Sequence, residues 1–468
     1  MKIHVANYGV VGDATIDFSK PLTIFCGSNG TGKTYMSYIT YAICTIVSSP
    51  GYWRRNFSSL LSSKEFIKEK IDIETNTERW LFKISGKAIK KMYQDISAEV
   101  KDRIDEIFGL SDEDAELMFK RVQINFPIDD EEIEANIKLL HFNIAFKAFE
   151  IECQCIKEDG YNVSVVLHSK VEQTGRFMSN IMKEIIKNSI LTKCLNFNIS
   201  KPYFLPVERN SIYTFSRELS LSRNNLIDEI LQLPNKKSFD PFSYLQKGSK
   251  RYPLAIRDAI NIANDLSTIK KQKGEYYEFA TQIEEKLLHG KVEVTTDGDV
   301  IFLPKGTRVK KESLPIHMTA SIVKTLSSFV FYLKYQAQRH HLVIIDEPEM
   351  NFHPDSQILF VSIVAKLMKL GLRFLISTHS DYIIREFNKL ILTKAVCIKQ
   401  NKLDDEVISV SKEDVNAYYF SYPNNRAKKV VVQKLEVADI GFSVPSIDAV
   451  VDTQNQQIEN LLTQFYFD

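Results

Sequence analysis

Residues 27–34 of this chain are Gly27-Ser28-Asn29-Gly30-Thr31-Gly32-Lys33-Thr34, a complete GxxxxGK[ST] pattern, and this stretch decides the fold. The apolar run 22–25 before it predicts a buried strand, and the apolar run 35–47 after it predicts a buried helix. Glycines let the loop backbone aim its N–H groups at phosphate oxygens, and the helix N-terminus adds positive potential. The placement between strand and helix favours a nucleotide-binding loop over a glycine turn without a function.

The pattern also assigns roles to single side chains. The Lys33 ammonium can reach the β- and γ-phosphates of a nucleotide, so we expect it to act in catalysis. The Thr34 hydroxyl is an oxygen ligand of the kind that Mg²⁺ prefers. We therefore predict that residues 27–34 bind ATP and that Thr34 also contacts Mg²⁺.

A second half-site follows in the carboxyl-terminal half. Residues 341–349 form an apolar run that ends in Asp346, Glu347, Pro348 and Glu349. A buried strand would deliver Asp346 to the coordination sphere of Mg²⁺, and Glu347 could polarise an attacking water as a general base. The alternative is a pair of solvated acids at a strand end. The strongly apolar run and the phosphate loop together favour the catalytic interpretation.

Two further candidates flank this acidic strand. The predicted strand 373–377 leads to His379, which could hydrogen-bond a γ-phosphate, although a lone histidine is more often structural. Upstream, a predicted helix over 318–338 carries Ser321 near its start. About 310 residues separate Lys33 from Asp346, so a long insertion must lie between the two half-sites.

The order of phosphate loop, long insertion, Ser-bearing helix, acidic strand and histidine resembles that of ABC-type ATPases. More specifically, the chain resembles the ABC-type, AAA-annotated ATPases related to the overcoming-lysogenisation-defect family, as in the ATPase subunits of the PARIS and Septu anti-phage systems and of some retrons. Besides the phosphate loop, the stretches that carry this resemblance are 203–209, 319–321, 344–354 and 377–380. The likeness covers the first 50 residues, 200–215 and 290–420.

The resemblance implies an α/β fold, an ABC-type P-loop ATPase head with a mixed β-sheet core and an inserted helical, coiled-coil-like arm. It implies a homo-oligomer, a dimer or larger, in which Ser321 of one subunit caps the ATP of another. It further implies a sensor or regulator of bacterial defence that holds or activates a separate effector, a TOPRIM-type or HNH nuclease. The chain departs from the transporter pattern because Ile322 replaces a glycine and the LSGGQ motif is missing. Gln123 is only a weak candidate for the glutamine of the lid loop.

The same reasoning divides the chain into five segments. The ATPase core comprises 1–50, 161–214 and 291–468, and the insertions comprise a helical segment 51–160 and a helical, basic segment 215–290. Within these segments we expect helices over 62–71, 88–108, 112–120 and 447–465, a hairpin over 291–303, and strands over 395–399 and 407–410. Arg209 can serve in a salt bridge with Glu208 or another acid, or contact the nucleotide directly.

Composition limits the functional classes. The 468 residues are 44% hydrophobic and 25% charged, with a net charge of +1, which is typical of a folded chain and argues against a protein that coats polyanions along its whole surface. No apolar run is long enough to span a bilayer and no signal-peptide pattern opens the chain, so we expect a cytoplasmic protein without membrane contact.

Two other functions remain open at this stage. Basic residues exceed acidic ones between Lys236 and Lys311, and this bias is typical of a solvated face but is also compatible with nucleic-acid contact. A DNA-binding repair ATPase resembling RecF or the SMC heads is therefore one alternative. A scaffold that binds ATP but scarcely hydrolyses it is another. The chain shows neither a TOPRIM nor an HNH pattern, so we expect that it cleaves no nucleic acid itself.

Overall fold

A computed structural model describes residues 1–49, 66–72, 77–84, 86–138, 141–145, 149–157, 161–169, 201–215, 252–306, 313–401, 407–424 and 426–467. These residues divide into two compact units. The larger unit comprises Val5–Ala42, Arg103–Gln123 and Lys201–Asp468, and the smaller comprises Met1–His4, Ile43–Asp102 and Ile124–Ser200.

The strands in chain order are β1 (Lys2–Tyr8), β2 (Val11–Asp17), β3 (Leu22–Gly27), β4 (Phe66–Asp72), β5 (Thr77–Ile84), β6 (Gln123–Asn125), β7 (His141–Ala145), β8 (Phe149–Lys157), β9 (Tyr161–Ser169), β10 (Pro202–Leu205), β11 (Gly290–Val294), β12 (Val300–Pro304), β13 (Leu314–Pro315), β14 (Leu342–Asp346), β15 (Arg373–Thr378), β16 (Val415–Ser421) and β17 (Val430–Leu435).

The helices are α1 (Lys33–Ser48), α2 (Gly86–Asp102), α3 (Ile104–Phe108), α4 (Asp112–Phe119), α5 (Asp130–Lys138), α6 (Leu254–Asn264), α7 (Leu266–Ile269), α8 (Tyr277–Ile283), α9 (Ser321–Tyr335), α10 (Pro354–Lys369), α11 (Asp381–Lys399) and α12 (Pro445–Phe467). Short helical turns cover Glu284–Leu288, Ile316–Met318 and Lys412–Asp414. None of the helices in the described ranges is long and apolar enough to cross a membrane.

A large mixed sheet forms the centre of the fold, with the strand order β10-β14-β15-β3-β16-β17-β2-β1-β6. The first five strands in this order run parallel to one another, and β17 runs antiparallel to β16. The register places Asp346 beside Ser377 and Thr378 beside Cys26. The carboxyl ends of β14, β15 and β3 therefore meet at one edge of the sheet, and the predicted α/β class with a mixed sheet is confirmed.

Burial explains why these segments form the centre. Every residue of β3 and β14 is buried, as expected of strands covered on both faces. In α9 every residue from 325 to 334 is also buried, so this helix packs on all sides. Helix α11 begins where the Ser380 side chain accepts a hydrogen bond from the main-chain N–H of Ile383.

A small antiparallel sheet, β11-β12-β13, contains the predicted hairpin. Strands β11 and β12 pair with Val294 opposite Val300, and Gly298 takes a φ of 89° in the turn between them. Only glycine adopts this left-handed conformation readily, so the Asp297-Gly298 pair identified the turn correctly.

The smaller unit corrects the expectation that 51–160 is a wholly helical insertion. It contains a five-stranded antiparallel sheet with the order β4-β5-β9-β8-β7, in addition to α2 and α5. The helix predicted over 62–71 was wrong, because the described part of it belongs to strand β4. The Lys and Glu residues of β4 favour a helix locally, but main-chain pairing with β5 overrides this propensity.

Two other boundaries also differ. Strand β9, at 161–169, pairs with β5 and β8 and so belongs to the inserted sheet rather than to the ATPase core, which resumes at β10. The predicted strand 395–399 is the last part of α11, and 407–410 has no regular structure. The segment 395–399, with the β-branched residues Val396 and Ile398, stays helical because α11 already buries Ile383, Phe387 and Leu390 on one face. The first half of the 215–290 insertion lies outside the described residues, and its described part is helical.

Candidate nucleotide site

The phosphate loop has the backbone that its glycines predict. Gly27 takes a φ of 139° and Gly32 a φ of 86°, and a Cβ atom on Gly27 would collide with the carbonyl oxygen of Phe420. The Thr31 hydroxyl donates to the carbonyl of Ser28 at 2.8 Å and so closes the loop on itself. Ser28, Asn29 and Gly30 are exposed, so their backbone is accessible to an anionic ligand.

The Lys33 side chain lies inside this loop. It is only 6% exposed, and its Nζ donates to the carbonyls of Gly27 and Ser28, both at 2.8 Å. Burial lowers the pKa of the ammonium, while the charge of Asp346 acts in the opposite direction. An ammonium carries three N–H donors, and two of them bind loop carbonyls here. The third N–H donor is left for an anionic oxygen.

The two half-sites meet at Asp346. The Thr34 hydroxyl donates to Oδ2 of Asp346 at 2.7 Å across 312 residues of sequence, and the Ser377 hydroxyl donates to Oδ1. Burial raises the pKa of Asp346, and these two hydrogen bonds oppose that rise. The predicted convergence of the two chain ends is therefore confirmed.

The donor set at this point fits a magnesium ion. Mg²⁺ takes oxygen ligands and in phosphate-transfer sites binds one or two protein groups, with phosphate and water in its other positions. Thr34 supplies a hydroxyl oxygen, and Asp346 supplies a carboxylate that is 2% exposed. These two residues are the ones that would hold the ion.

Glu347 leaves the end of β14 in an unusual conformation. Its φ is 48°, in the left-handed region that costs a non-glycine residue conformational energy, and its side chain is 31% exposed. The main-chain N–H of Glu347 donates to the carbonyl of Ser377 at 2.9 Å. The turn thus carries the Glu347 carboxylate out of the buried strand to an accessible position beside Asp346.

Arg209 stabilises this turn through hydrogen bonds to its main chain. Its guanidinium is 2% exposed and donates to three main-chain carbonyls, those of Pro206 at 2.8 Å and of Asp346 and Glu347 at 2.7 Å. Burial lowers the pKa of Arg209 to about 10, and the nearby acids, Asp346 first among them, oppose this. Of the two alternatives for Arg209, the salt bridge with Glu208 or another acid is not observed, since among the described residues Arg209 forms no ion pair and binds carbonyl oxygens instead.

Glu349 is a site residue that the sequence analysis missed. Its Oε1 accepts hydrogen bonds from the Thr378 hydroxyl and the His379 N–H, both at 2.8 Å, and lies 3.3 Å from Nδ1 of His379. Its Oε2 is buried and has no hydrogen-bond partner within the described part of the chain. The second glutamate in the Glu347-Pro348-Glu349 sequence was the available signal, because it follows the same strand end two residues after Glu347.

His379 lies beside the two glutamates that follow β14, and its contact with a γ-phosphate stays a prediction. Its Nδ1 is 3.8 Å from Oε1 of Glu347, and its side chain is 42% exposed. Ser321 is an exposed residue at the first position of α9, and Gln123 is an exposed residue at the start of β6. The role of Ser321 depends on a second subunit and stays a prediction.

The basic segment is only partly described. Lys270 donates to the carbonyls of Val294 and Thr295, and Lys273 lies 3.6 Å from Glu278 and 4.2 Å from the ring centre of Tyr277. These two side chains have partners within the fold. Lys236, Lys237, Lys250 and Arg251 lie outside the described residues. Nucleic-acid contact stays a prediction.

A comparison with protein-family models gives a match to the AAA ATPase domain over residues 1–384. This range is most of the chain and contains both half-sites. The chain belongs to the AAA ATPase domain family. It is therefore a nucleotide-binding P-loop ATPase.

Solved structures with similarity to this AAA ATPase include three SMC heads. The Smc head with an extended coiled coil bound to the C-terminal domain of ScpA, from Pyrococcus furiosus, is 14% identical with a TM-score of 0.31, covering 98% of each chain. An SMC head bound to the C-winged helix domain of ScpA is 12% identical with a TM-score of 0.32, covering 93% of this chain and 97% of that one. The SMC head from Thermotoga maritima is 9% identical with a TM-score of 0.28, covering 93% and 98%. No curated protein matches the chain.

Proposed function

We propose that this AAA ATPase binds ATP with Mg²⁺ through Lys33, Thr34 and Asp346 and hydrolyses it with Glu347 as general base. The observation that carries the proposal is the hydrogen bond between Thr34 and Asp346, which joins the phosphate loop to the acidic strand. In this proposal residues 27–34 form the phosphate cradle, and Lys33, whose Nζ binds two loop carbonyls, gives its third N–H to a phosphate oxygen.

The chemical roles follow from the contacts of each side chain. A bound magnesium ion would neutralise charge that develops on the β- and γ-phosphate oxygens. The exposed carboxylate of Glu347 accepts a proton from the attacking water. Arg209 holds the main chain of Glu347, so the carboxylate needs little reorientation during the reaction. His379, 3.8 Å from Glu347, is placed to contact the γ-phosphate.

Completion of the site requires a second subunit. Ser321 is exposed at the N-terminus of α9, where main-chain N–H groups and the helix dipole favour a phosphate. In this proposal Ser321 of one subunit contacts the γ-phosphate held by another, so that ATP links the subunits. Hydrolysis then shifts the population from closed to open assemblies.

At the level of biology, we propose a cytoplasmic sensor or regulator subunit of an anti-phage defence system that holds or activates a separate effector nuclease of the TOPRIM or HNH type. The support is the resemblance of residues 203–209, 319–321, 344–354 and 377–380 to the ATPase subunits of such systems.

The decisive experiment replaces Glu347 by Gln. We expect the kcat for ATP hydrolysis to fall at least about 100-fold, the usual range for loss of a general base. Binding of a fluorescent ATP analogue should persist, and the ATP-linked assembly should last longer. The matched control is Glu436→Gln, an exposed acid outside the site, which should keep wild-type turnover. Hydrolysis by Glu347→Gln at the wild-type rate would contradict the mechanism.

A second measurement separates the regulator from a DNA-binding ATPase. A regulator should co-purify with a protein partner and hydrolyse ATP equally well with and without duplex DNA. A repair ATPase would instead show DNA-stimulated hydrolysis with a steep dependence on salt, because phosphate contacts release counterions. Single-turnover kinetics of the assembly would identify a scaffold by the absence of a hydrolysis phase.

A further inference from the structure

Helix α12 presents an apolar face to solvent. Ile447, near its start, packs against the core of the larger unit, but every residue from 452 to 464 is exposed. Ile458 is 55% exposed, Leu461 64% and Leu462 49%. Among the residues that the structure describes, nothing covers this face.

The exposed part of α12 lacks the tertiary packing that stabilises most helices. An isolated helix of this length is marginal in water, and most helical stability comes from packing of an apolar face. The segment also contains residues of modest helix propensity, such as Thr453, Asn455 and Asn460. Packing against another molecule would supply the missing stabilisation.

The spacing of the face is that of a two-stranded coiled coil. Val451, Gln454, Ile458 and Leu461 alternate steps of three and four residues, which places Val451 and Ile458 at heptad position a and Gln454 and Leu461 at position d. Among parallel coiled coils, β-branched residues at a with leucine at d, as at Ile458 and Leu461, favour two strands. Gln454 is the one polar residue of the seam.

The charges indicate which partner fits. In the exposed part the acids are Asp452 and Glu459, which both fall at position b, away from the seam. The flanking e and g positions are uncharged, with Asn455, Gln457, Leu462 and Gln464. Two copies of this helix would therefore meet without like charges across the interface, and the flanks carry no charge that would select a basic or acidic partner.

We propose that α12 pairs in parallel with α12 of a second copy of this chain, through the seam formed by Val451, Gln454, Ile458 and Leu461. This contact is separate from the ATP interface and does not depend on nucleotide. It keeps two ATPase units close together, so the ATP-dependent contact forms at a high effective concentration.

The first test measures the mass of the full-length protein by sedimentation equilibrium without nucleotide, so ATP-linked assembly plays no part. The double variant Ile458→Asp/Leu461→Asp places four charges in the paired seam. We expect its dimer dissociation constant to rise at least about tenfold, which equals about 1.4 kcal/mol. The control is Gln456→Asp/Thr463→Asp, which adds the same charges at the outer position f and should match the wild type.

The second test detects the pairing without destabilising it. Under mild oxidation, Leu461→Cys should give a disulfide-linked dimer well above the wild-type level, because position d faces its counterpart in a parallel pair. Thr463→Cys, on the outer face, should not. Equal cross-linking of the two variants would overturn the proposal.

The proposal would also be overturned if the wild-type protein were monomeric without nucleotide at micromolar concentration. In that case another segment of this chain or a different protein covers the face. Equal dissociation constants for the seam and control variants would likewise overturn the proposal. None of these results bears on Glu347, so the proposed hydrolysis mechanism is tested independently of this proposal.

Discussion

The Thr34 hydroxyl and the Asp346 carboxylate lie 2.7 Å apart, although 312 residues separate them in the sequence. Thr34 is in the first turn of α1, and Asp346 is the last residue of β14. Strand β15 lies between β3 and β14, so the two groups approach each other across the carboxyl edge of three parallel strands. The hydrogen bond is the point at which the two half-sites become one site.

Thr34→Val should remove the hydrogen bond between Thr34 and Asp346 and impair ATP hydrolysis. The substitution keeps the shape of the side chain but removes the hydroxyl, so Asp346 loses a hydrogen bond and the magnesium site loses an oxygen. We expect kcat to fall about tenfold to a hundredfold, the effect of losing one hydrogen bond to a charged group, with a higher requirement for Mg²⁺. Steady-state ATPase assays over a magnesium titration measure both. Thr34→Ser keeps the hydroxyl and should retain most of the activity, and equal losses in the two variants would contradict this role.

Glu349 should act as a positioning residue for His379. Glu349→Ala removes the acceptor for the Thr378 hydroxyl and the His379 N–H, and we expect a loss of about tenfold in kcat with little change in KM. Glu349→Gln keeps an acceptor oxygen and should lose less.

A double-mutant cycle distinguishes this role from general destabilisation. If Glu349 acts through His379, then Glu349→Ala should have a much smaller effect on kcat when His379 is already alanine. The measurement is kcat for the two single variants and the double variant. Fully additive losses would show that Glu349 acts independently of the histidine.

Arg209 should be a major contributor to stability. Arg209→Lys keeps the charge, but one ammonium cannot reproduce the planar guanidinium that binds three carbonyls. We expect the free energy of unfolding in denaturant to fall by about 1.5–3 kcal/mol. Arg339→Lys is the control, since that side chain is 66% exposed and its ion pair with Glu275 should contribute less than about 1 kcal/mol. Equal effects of the two substitutions would rule out the structural role of Arg209.

His341 should make stability depend on pH. Its side chain is 5% exposed and its Nδ1 lies 3.1 Å from the Tyr332 hydroxyl. Burial lowers the pKa of His341 from 6.5 to about 4, and the charge of Lys201 acts in the same direction. Between these two values the unfolded chain binds a proton that the folded chain does not bind. The contribution of neutral His341 to the free energy of unfolding is thus fully present above pH 6.5 and is lost as the pH falls towards 4.

The corresponding measurement is the free energy of unfolding from pH 7 to 4. The slope of this free energy against pH gives the number of protons taken up on unfolding. His341→Gln should lower that number by up to about one between pH 6.5 and 4. His317→Gln, at an exposed position, should leave the slope unchanged. An unaltered slope in His341→Gln would show that other groups produce the pH dependence.

The sequence by itself determined the elements whose local chemistry is unambiguous. The phosphate loop needs glycine at positive φ, as at Gly27 and Gly32, and the apolar runs that became β3 and β14 are too strongly hydrophobic to be anything but buried. The order of the motifs was enough to place Lys33 and Asp346 in one site.

Only the tertiary structure decided the rest. Strand β4 has the composition of a helix but pairs with its neighbour β5, which pairs in turn with the distant strand β9. The main-chain hydrogen bonds of this sheet outweigh propensities of a few tenths of a kcal/mol per residue. The roles of Arg209, Ser377 and Glu349 likewise arise from contacts between strand ends. The residues of a segment determine the backbone conformations that the segment prefers. The partners of a buried polar group, however, depend on which distant segments the sheet places beside it.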